Sequence, residues 1–318
     1  MTVLDRTISD FGRQRLAELI RESGDAPQRA VATADRINDS LNALANLAYR
    51  MPRYNDDWLA LFYALWYQPK QINVAYRAIH GMRASRGLQA GNLISGQRLH
   101  IVDFGSGSLA MLFATALAVA DALHRGEHLD SVRIDCIDNE EMIWTGALIL
   151  EHFRQIVEQQ DELGPLRDAL ESIHWEVNGI EQVTQAVQFE EDTERWFSAL
   201  HVVYSDNMTE IAPAIHAMRA TDPFVAFFTS FALKENLVRQ VARPFEGAPY
   251  LPVERVQHAP HLGLTGVLTN TTNLRREIAN LERLRPHLSE TSVNFLTGRR
   301  SNVDCEPQST FYRIYLRQ

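Results

Sequence analysis

The chain has 318 residues, 45% apolar and 22% charged, with a formal net charge of −9, which suits a globular protein with a full core in one or two domains. No apolar run reaches the roughly 18 residues of a membrane span, and the two cysteines, Cys136 and Cys305, are too few for a disulfide framework or a cysteine-built metal site. The acidic balance argues against tight binding of bulk nucleic acid, which needs clustered Lys and Arg, and the acidic first ten residues hold no apolar signal core, so a cytoplasmic protein is expected.

Residues 1–98 read as helical. Apolar residues recur at helical spacing over 4–21 and again over 30–49, until Pro52 breaks the pattern. Asp56 or Asp57 caps a third helix over 58–67, and a fourth follows over 70–85. Trp58, Phe62 and Trp66 share one face of the third helix, which reads first as core packing. The alternative is a lid offering the hydroxyls of Tyr63, Tyr67 and Tyr76, with Gln71 and Asn73 beside them, to a ligand. These apolar helices could also build a homodimer. The stretch 85–97, rich in Gly, Ser and Asn, reads as a linker.

From Leu99 the pattern changes. Strand candidates at 99–104, 131–137, 173–177, 200–204 and 224–229 alternate with helix candidates at 109–123, 141–159, 181–189 and 211–219. This βαβ alternation predicts a parallel sheet with helices on both faces. An insertion at 244–273 interrupts it, with four prolines, His258 and His261, and reads as a loop on the substrate side. Strands at 292–298 and 310–316 are expected to close the domain as an antiparallel hairpin. Arg275, Arg276, Arg283 and Arg285, and the pair Arg299 and Arg300, read as solvated helix and hairpin faces.

The strongest local signal is Leu-His-Ile-Val-Asp-Phe-Gly-Ser-Gly-Ser at 99–108. An apolar strand ends at Asp103 and gives way to Gly105, Ser106 and Gly107, then to a helix. Glycines let the backbone turn sharply and approach a ligand, and a helix start presents unpaired N–H groups. Gly-x-Gly after a strand also occurs in dinucleotide sites, but position 110 is Ala where their third glycine would stand. An acid two positions before the glycines suits a ligand carrying an ammonium group. Asp138, at the end of the next strand, suits a ribose, whose two hydroxyls a carboxylate can accept.

Over 99–318 these residues resemble the class I S-adenosylmethionine (SAM)-dependent methyltransferases. The resemblance implies an α/β fold with a seven-stranded, mostly parallel sheet in the order 3-2-1-4-5-7-6, strand 7 antiparallel, following the helical region 1–98. It assigns the acid and glycine loop to Asp103, Gly105, Ser106 and Gly107, and the ribose acid to Asp138 with Asn139 beside it. The adenine would lie by Asn178, Gly179 and Ile180, and the methyl group and substrate by Ser205, Asp206 and Asn207. Leu109 departs from the pattern, standing where a third small residue is common.

Methyl transfer asks mainly for alignment, with a base only where the acceptor carries a proton of high pKa. Asp206, Tyr67 and His258 are the acid–base candidates, Asp206 having the alternative role of capping the helix that follows. His258 and His261 lack further ligands for a metal site, so no metal is expected. The expectation is a methyltransferase acting on an N or O nucleophile of a small molecule. An RNA or protein methyltransferase and a non-catalytic SAM-binding partner protein are the rival readings.

Overall fold

The computed structural model describes residues 2–24, 26–47, 49–50, 56–86, 92–138, 140–178, 192–253, 264, 266–298, 305 and 310–318. By internal contacts the chain forms two compact units. The first holds Met1–Lys70, Trp144–Ile156 and His261–Glu306, and the second holds Gln71–Ile143, Val157–Pro260 and Pro307–Gln318. No helix among the described residues is long and apolar enough to cross a membrane.

The first unit is helical. It contains α1 (Val3–Ser23), α2 (Pro27–Ala45) and α3 (Asp57–Trp66), close to the expected spans. It also takes in the middle of α6 (Glu140–Glu158) and two helices from late in the chain, α10 (Thr269–Ala279) and α11 (Glu290–Thr297). Asp56 caps α3 by accepting from Trp58 N at 2.8 Å and Leu59 N at 3.2 Å. The start of α10 has no local side-chain cap. Buried Asp5 of α1 supplies one, accepting from Asn270 N at 3.1 Å and Thr271 N at 3.0 Å. Trp58 and Phe62 are buried, and Trp66 stacks on Phe295 at 3.9 Å between ring centroids. Arg275 is not on a solvated face. It is 1% exposed, with its guanidinium 3.4 Å over the Trp66 ring and a bond to Phe295 O at 2.7 Å. A guanidinium is weakly hydrated and stacks well on aromatic faces, which lowers the cost of burying it here.

The second unit is built on a seven-stranded sheet in the order β3-β2-β1-β4-β5-β7-β6. Its strands are β1 (Arg98–Phe104), β2 (Ser131–Ile137), β3 (Ile173–Asn178), β4 (Thr193–Leu200), β5 (Val225–Phe231), β6 (Tyr250–Pro252) and β7 (Thr310–Arg317). β1 to β5 pair in parallel, while β7 runs antiparallel to both β5 and β6. The expected fold class and strand order are therefore present. β5 is buried along its whole length, as a central strand covered on both faces should be. One sheet face packs Val102, Phe104, Phe197, Ala199 and Phe228 in a single core with Ile211, Ile215 and Met218 of α8 (Met208–Ala220) and Val238 and Val241 of α9 (Glu235–Ala242). The remaining helices include α4 (Gln68–Ser85), α5 (Ala110–His124) and α7 (Gly164–Ser172).

Two strand assignments need correction. Residues 292–298 are not a strand, because Glu290–Thr297 is helical and Ser289 caps it by accepting from Ser292 N at 3.1 Å. The partner of the terminal strand is instead β6, three residues inside the proline-rich insertion. The fourth strand runs over Thr193–Leu200 rather than 200–204, so its charged start pairs with β1 and the β-branched residues Val202 and Val203 lie beyond its end. The expected helix at 181–189 lies outside the described residues.

Candidate functional site

Parallel strands place their carboxyl ends on one edge of the sheet. The chain reverses direction of winding at β1, between β2 and β4. Ligands of open α/β sheets bind in the crevice at such a switch point, and here it is formed by the loop from Asp103 to Leu109.

The loop is held by a closed set of hydrogen bonds. Gly105 N donates to Ile137 O at 2.8 Å, tying the loop to the tip of β2. Ser106 Oγ donates to Asp103 O at 2.6 Å and accepts from Ile137 N at 3.0 Å, so one buried hydroxyl joins both strands. Gly107 N donates to Asp138 Oδ2 at 2.6 Å. Gly105 and Gly107 both have positive φ, 74° and 52°. A Cβ at Gly105 would stand 2.6 Å from Val202, so space as well as backbone angle requires glycine there. A Cβ at Gly107 would meet nothing closer than 3.9 Å, which leaves the backbone at that point open to an approaching group.

Leu109, the departure from the family pattern, is left-handed at φ 65° and fully buried at the start of α5. Such an angle is uncommon for a leucine and carries strain. The helix thus begins without a side-chain cap, and Leu109 itself is locked into the core.

Asp103 is buried, and its Oδ1 accepts a hydrogen bond from Ser198 Oγ on β4. Burial raises its carboxyl to about 7, with the neighbouring Asp138 charge adding to the rise and the Ser198 bond opposing it. A carboxyl held half-protonated at neutral pH is stabilised as the anion by a cation placed next to it. Burial likewise raises the Cys136 thiol, which leaves it a protonated core residue.

The predicted residues fall into four groups. The bonds above bring together Asp103, Gly105, Ser106, Gly107 and Asp138, and Asn178 ends β3 beside Ile137 in register. Ser205 and Asp206 are exposed in the turn between β4 and α8. Asn207 is buried and folds back on that turn, its Oδ1 accepting from Tyr204 N at 2.9 Å and its Nδ2 donating to Val202 O at 2.8 Å. Tyr67 belongs to the helical unit, where its buried hydroxyl donates to Leu44 O at 3.2 Å and burial raises it to about 12. Tyr76 donates to Asp121 at 2.6 Å. Asn139, Gly179, Ile180 and His258 lie outside the described residues.

Sequence reasoning missed His201 and Lys234, at the ends of β4 and β5. Their polar atoms are buried without hydrogen-bond partners. The available signal was compositional: of the 31 Lys and Arg residues in the chain, two are lysines, Lys70 and Lys234.

These residues fit SAM by the chemistry of the donor set. A buried acid whose carboxyl is raised by burial would be stabilised by a cation, the backbone above Gly107 is open, and a second carboxylate, Asp138, stands at the β2 tip.

No family model matches the chain, and no curated protein does. Solved structures similar to it include the following three. One is SCL7 of Oryza sativa, at 14% identity and TM-score 0.33, covering 96% of this chain and 79% of that one. Another is a COG1565 superfamily member from Burkholderia thailandensis with S-adenosylhomocysteine bound, at 11% identity and TM-score 0.32, covering 92% and 95%. The third is loganic acid methyltransferase with S-adenosylhomocysteine, at 9% identity and TM-score 0.33, covering 79% and 94%. Overlaps this weak leave the assignment to the residues of the site itself.

Proposed function

We propose that the second unit binds SAM at the tips of β1 and β2 and that the protein is a SAM-dependent methyltransferase acting on a small molecule. The observation that carries this reading is the strand order, β3-β2-β1-β4-β5-β7-β6 with β7 antiparallel, which the resemblance implies and which puts the Asp103–Leu109 loop at the switch point. When bound, SAM supplies an electrophilic methyl group: the acceptor gains CH3 and gives up a proton, and the sulfonium becomes a neutral thioether.

The protein's own part is placement. Asp103 pairs with the ammonium of the methionine end and takes the anionic form in doing so. Gly107 leaves room for the backbone to lie against the ligand, and Ser106 holds that backbone rigid from below. Asp138 accepts ribose hydroxyls while bonded to Gly107 N, so ribose recognition and loop geometry share one side chain. Ser205 and Asp206, exposed beyond β4, stand on the acceptor side, where Asp206 orients the nucleophile or takes its proton.

Asp138→Ala tests the reading. SAM affinity measured by calorimetry is expected to fall by about 2 kcal/mol, the worth of charged hydrogen bonds lost with one carboxylate. Unchanged affinity in a folded variant would remove Asp138 from the ribose role, and absence of SAM binding to the unaltered protein would overturn the reading itself.

A further inference from the structure

The tips of β4 and β5 hold buried polar side chains that make no hydrogen bond among the described residues. His201 follows β4 with a left-handed backbone, φ 56°, and its N–H donates to Thr229 O at 2.9 Å. Both of its ring nitrogens are buried without a hydrogen-bond partner. So are Thr229 Oγ1 and Ser230 Oγ near the end of β5, and Lys234 Nζ in the turn after it. Lys234 is 6% exposed. Its nitrogen rests 3.0 Å from the centroid of the Tyr204 ring and 5.6 Å from that of Phe231, while the His201 ring meets Phe231 edge to face at 4.9 Å. A buried polar group without a partner costs about 1–3 kcal/mol, and an ammonium costs more. Ser230 points to the face opposite Thr229 and Phe231. That leaves three such residues at two adjacent strand ends, His201, Thr229 and Lys234, which oppose stability and call for another explanation.

The chemistry of the cluster narrows what it can receive. Burial lowers the Lys234 ammonium to about 7, against the pull of Asp206, and burial together with the Lys234 charge lowers His201 to about 3. His201 is therefore neutral, and the cluster offers at most one positive charge, that of Lys234, partly offset by exposed Asp206. One positive charge balances a monoanion such as a carboxylate, whereas a phosphate dianion would retain excess charge in a site of low polarity. The rings of Tyr204 and Phe231 flank the charge with flat apolar surfaces. Val202, next to His201, packs over Gly105, so the cluster adjoins the loop assigned to the cofactor.

We propose that Lys234 anchors the methyl acceptor through a carboxylate, with His201 as its neutral hydrogen-bonding neighbour, and that the acceptor is a carboxylic acid with a flat apolar body. This rests on the methyltransferase reading above. The Tyr204 ring is the resting partner of the ammonium, and an incoming carboxylate replaces it with a charge-assisted hydrogen bond. The imidazole nitrogens of His201, which shares the Phe231 ring with Lys234, are then available to the same group.

Because the chain has two lysines, the full-length protein labelled with 13C-lysine gives two ε-methylene signals, and Lys70→Arg identifies by elimination which belongs to Lys234. Sodium benzoate is the probe, and benzamide its neutral counterpart, each titrated at pH 7. Benzoate is expected to drive the Lys234 signal to its fully protonated position while the Lys70 signal stays in place and benzamide moves neither. Benzoate binding seen on the ligand's own signals is expected to weaken about tenfold or more in Lys234→Met. A stationary Lys234 signal, or an equal response to benzamide, overturns the anchor. That contrast is read on the unaltered protein, so it stands even where Lys234→Met does not fold. SAM affinity of the unaltered protein, measured by calorimetry, separates the two ideas. Normal SAM binding with an unmoved lysine overturns the anchor alone, while a benzoate response without SAM binding overturns the cofactor reading and leaves a carboxylate site.

Discussion

The β1–β2 tips and the β4–β5 tips lie on the same edge of one sheet, yet they treat their polar groups in opposite ways. At β1 and β2 the groups of the loop bond to one another: Asp103 to Ser198, Ser106 to both strands, Asp138 to Gly107. At β4 and β5 the side chains of His201, Thr229, Ser230 and Lys234 have no hydrogen-bond partner. The first arrangement is a shape made in advance, in which little order is left to lose on binding. In the second the polar groups are left without hydrogen-bond partners among the described residues, which is what the proposed acceptor would supply. The contrast matches the proposed division between an invariant cofactor and a particular acceptor.

The largest test of that contrast is Gly105→Ala. It forces a positive φ on alanine and drives a Cβ into Val202, so the fold should lose on the order of 3 kcal/mol in denaturant unfolding. Adding Val202→Ala should restore part of this and leave the backbone strain. Ser106→Ala removes a hydroxyl with two buried bonds and is expected to cost about 2 kcal/mol by the same measurement. A neutral result for Ser106→Ala would break the claim that this loop is built from its bonds.

Asp103 gives a test by pH. SAM binding favours the anionic carboxylate, so affinity should rise about tenfold from pH 6 to pH 8 around a free-protein value of about 7, and Asp103→Asn should flatten the profile. Without ligand the sign is reversed for stability. The native state holds a proton that the unfolded chain gives up near its ordinary carboxylate value, so the fold loses stability as pH rises from about 4 to about 7. A flat SAM affinity profile in the unaltered protein would separate Asp103 from the ammonium.

The smallest effect should come from the opposite end of the comparison. Thr229→Val replaces a hydroxyl without a partner by a methyl of the same shape, and is expected to leave stability unchanged or raise it by about 1 kcal/mol. A loss comparable to that of Ser106→Ala would show that Thr229 is part of the fold's own bonding and erase the distinction between the two tips.

The sequence carried the Gly105–Gly107 turn and strands β1 and β2 clearly, because apolar β-branched runs end sharply in glycine or acid. β4 was harder to read. It opens with Thr193, Glu194 and Arg195, and its charge is absorbed by a buried pair in which Arg86 meets Glu194 at 2.6 Å, a partner no local pattern shows. α11 reads as a strand because Val293 and Phe295 stand two apart and favour β structure, although Ser289 followed by Glu290 suits a helix start. β6 is three residues long and includes a proline, beneath the reach of periodicity. The glycine loop was legible as a motif, but Asp138 bonding to Gly107 N and the unpartnered side chains near Lys234 depend on strands brought together from distant parts of the chain.

The bond from Asp5 to the start of α10 spans 266 positions of sequence. During synthesis α1, α2 and α3 leave the ribosome long before the helices that complete their unit. Part of their apolar faces must wait, with loop-closure entropy opposing the final docking, until residues 269–297 have been made. The helical unit therefore cannot finish folding before α10 and α11 are made, and a ribosome stalled before residue 269 would hold α1, α2 and α3 without those two partners. Such an intermediate is a natural client for chaperones and a place where aggregation can begin.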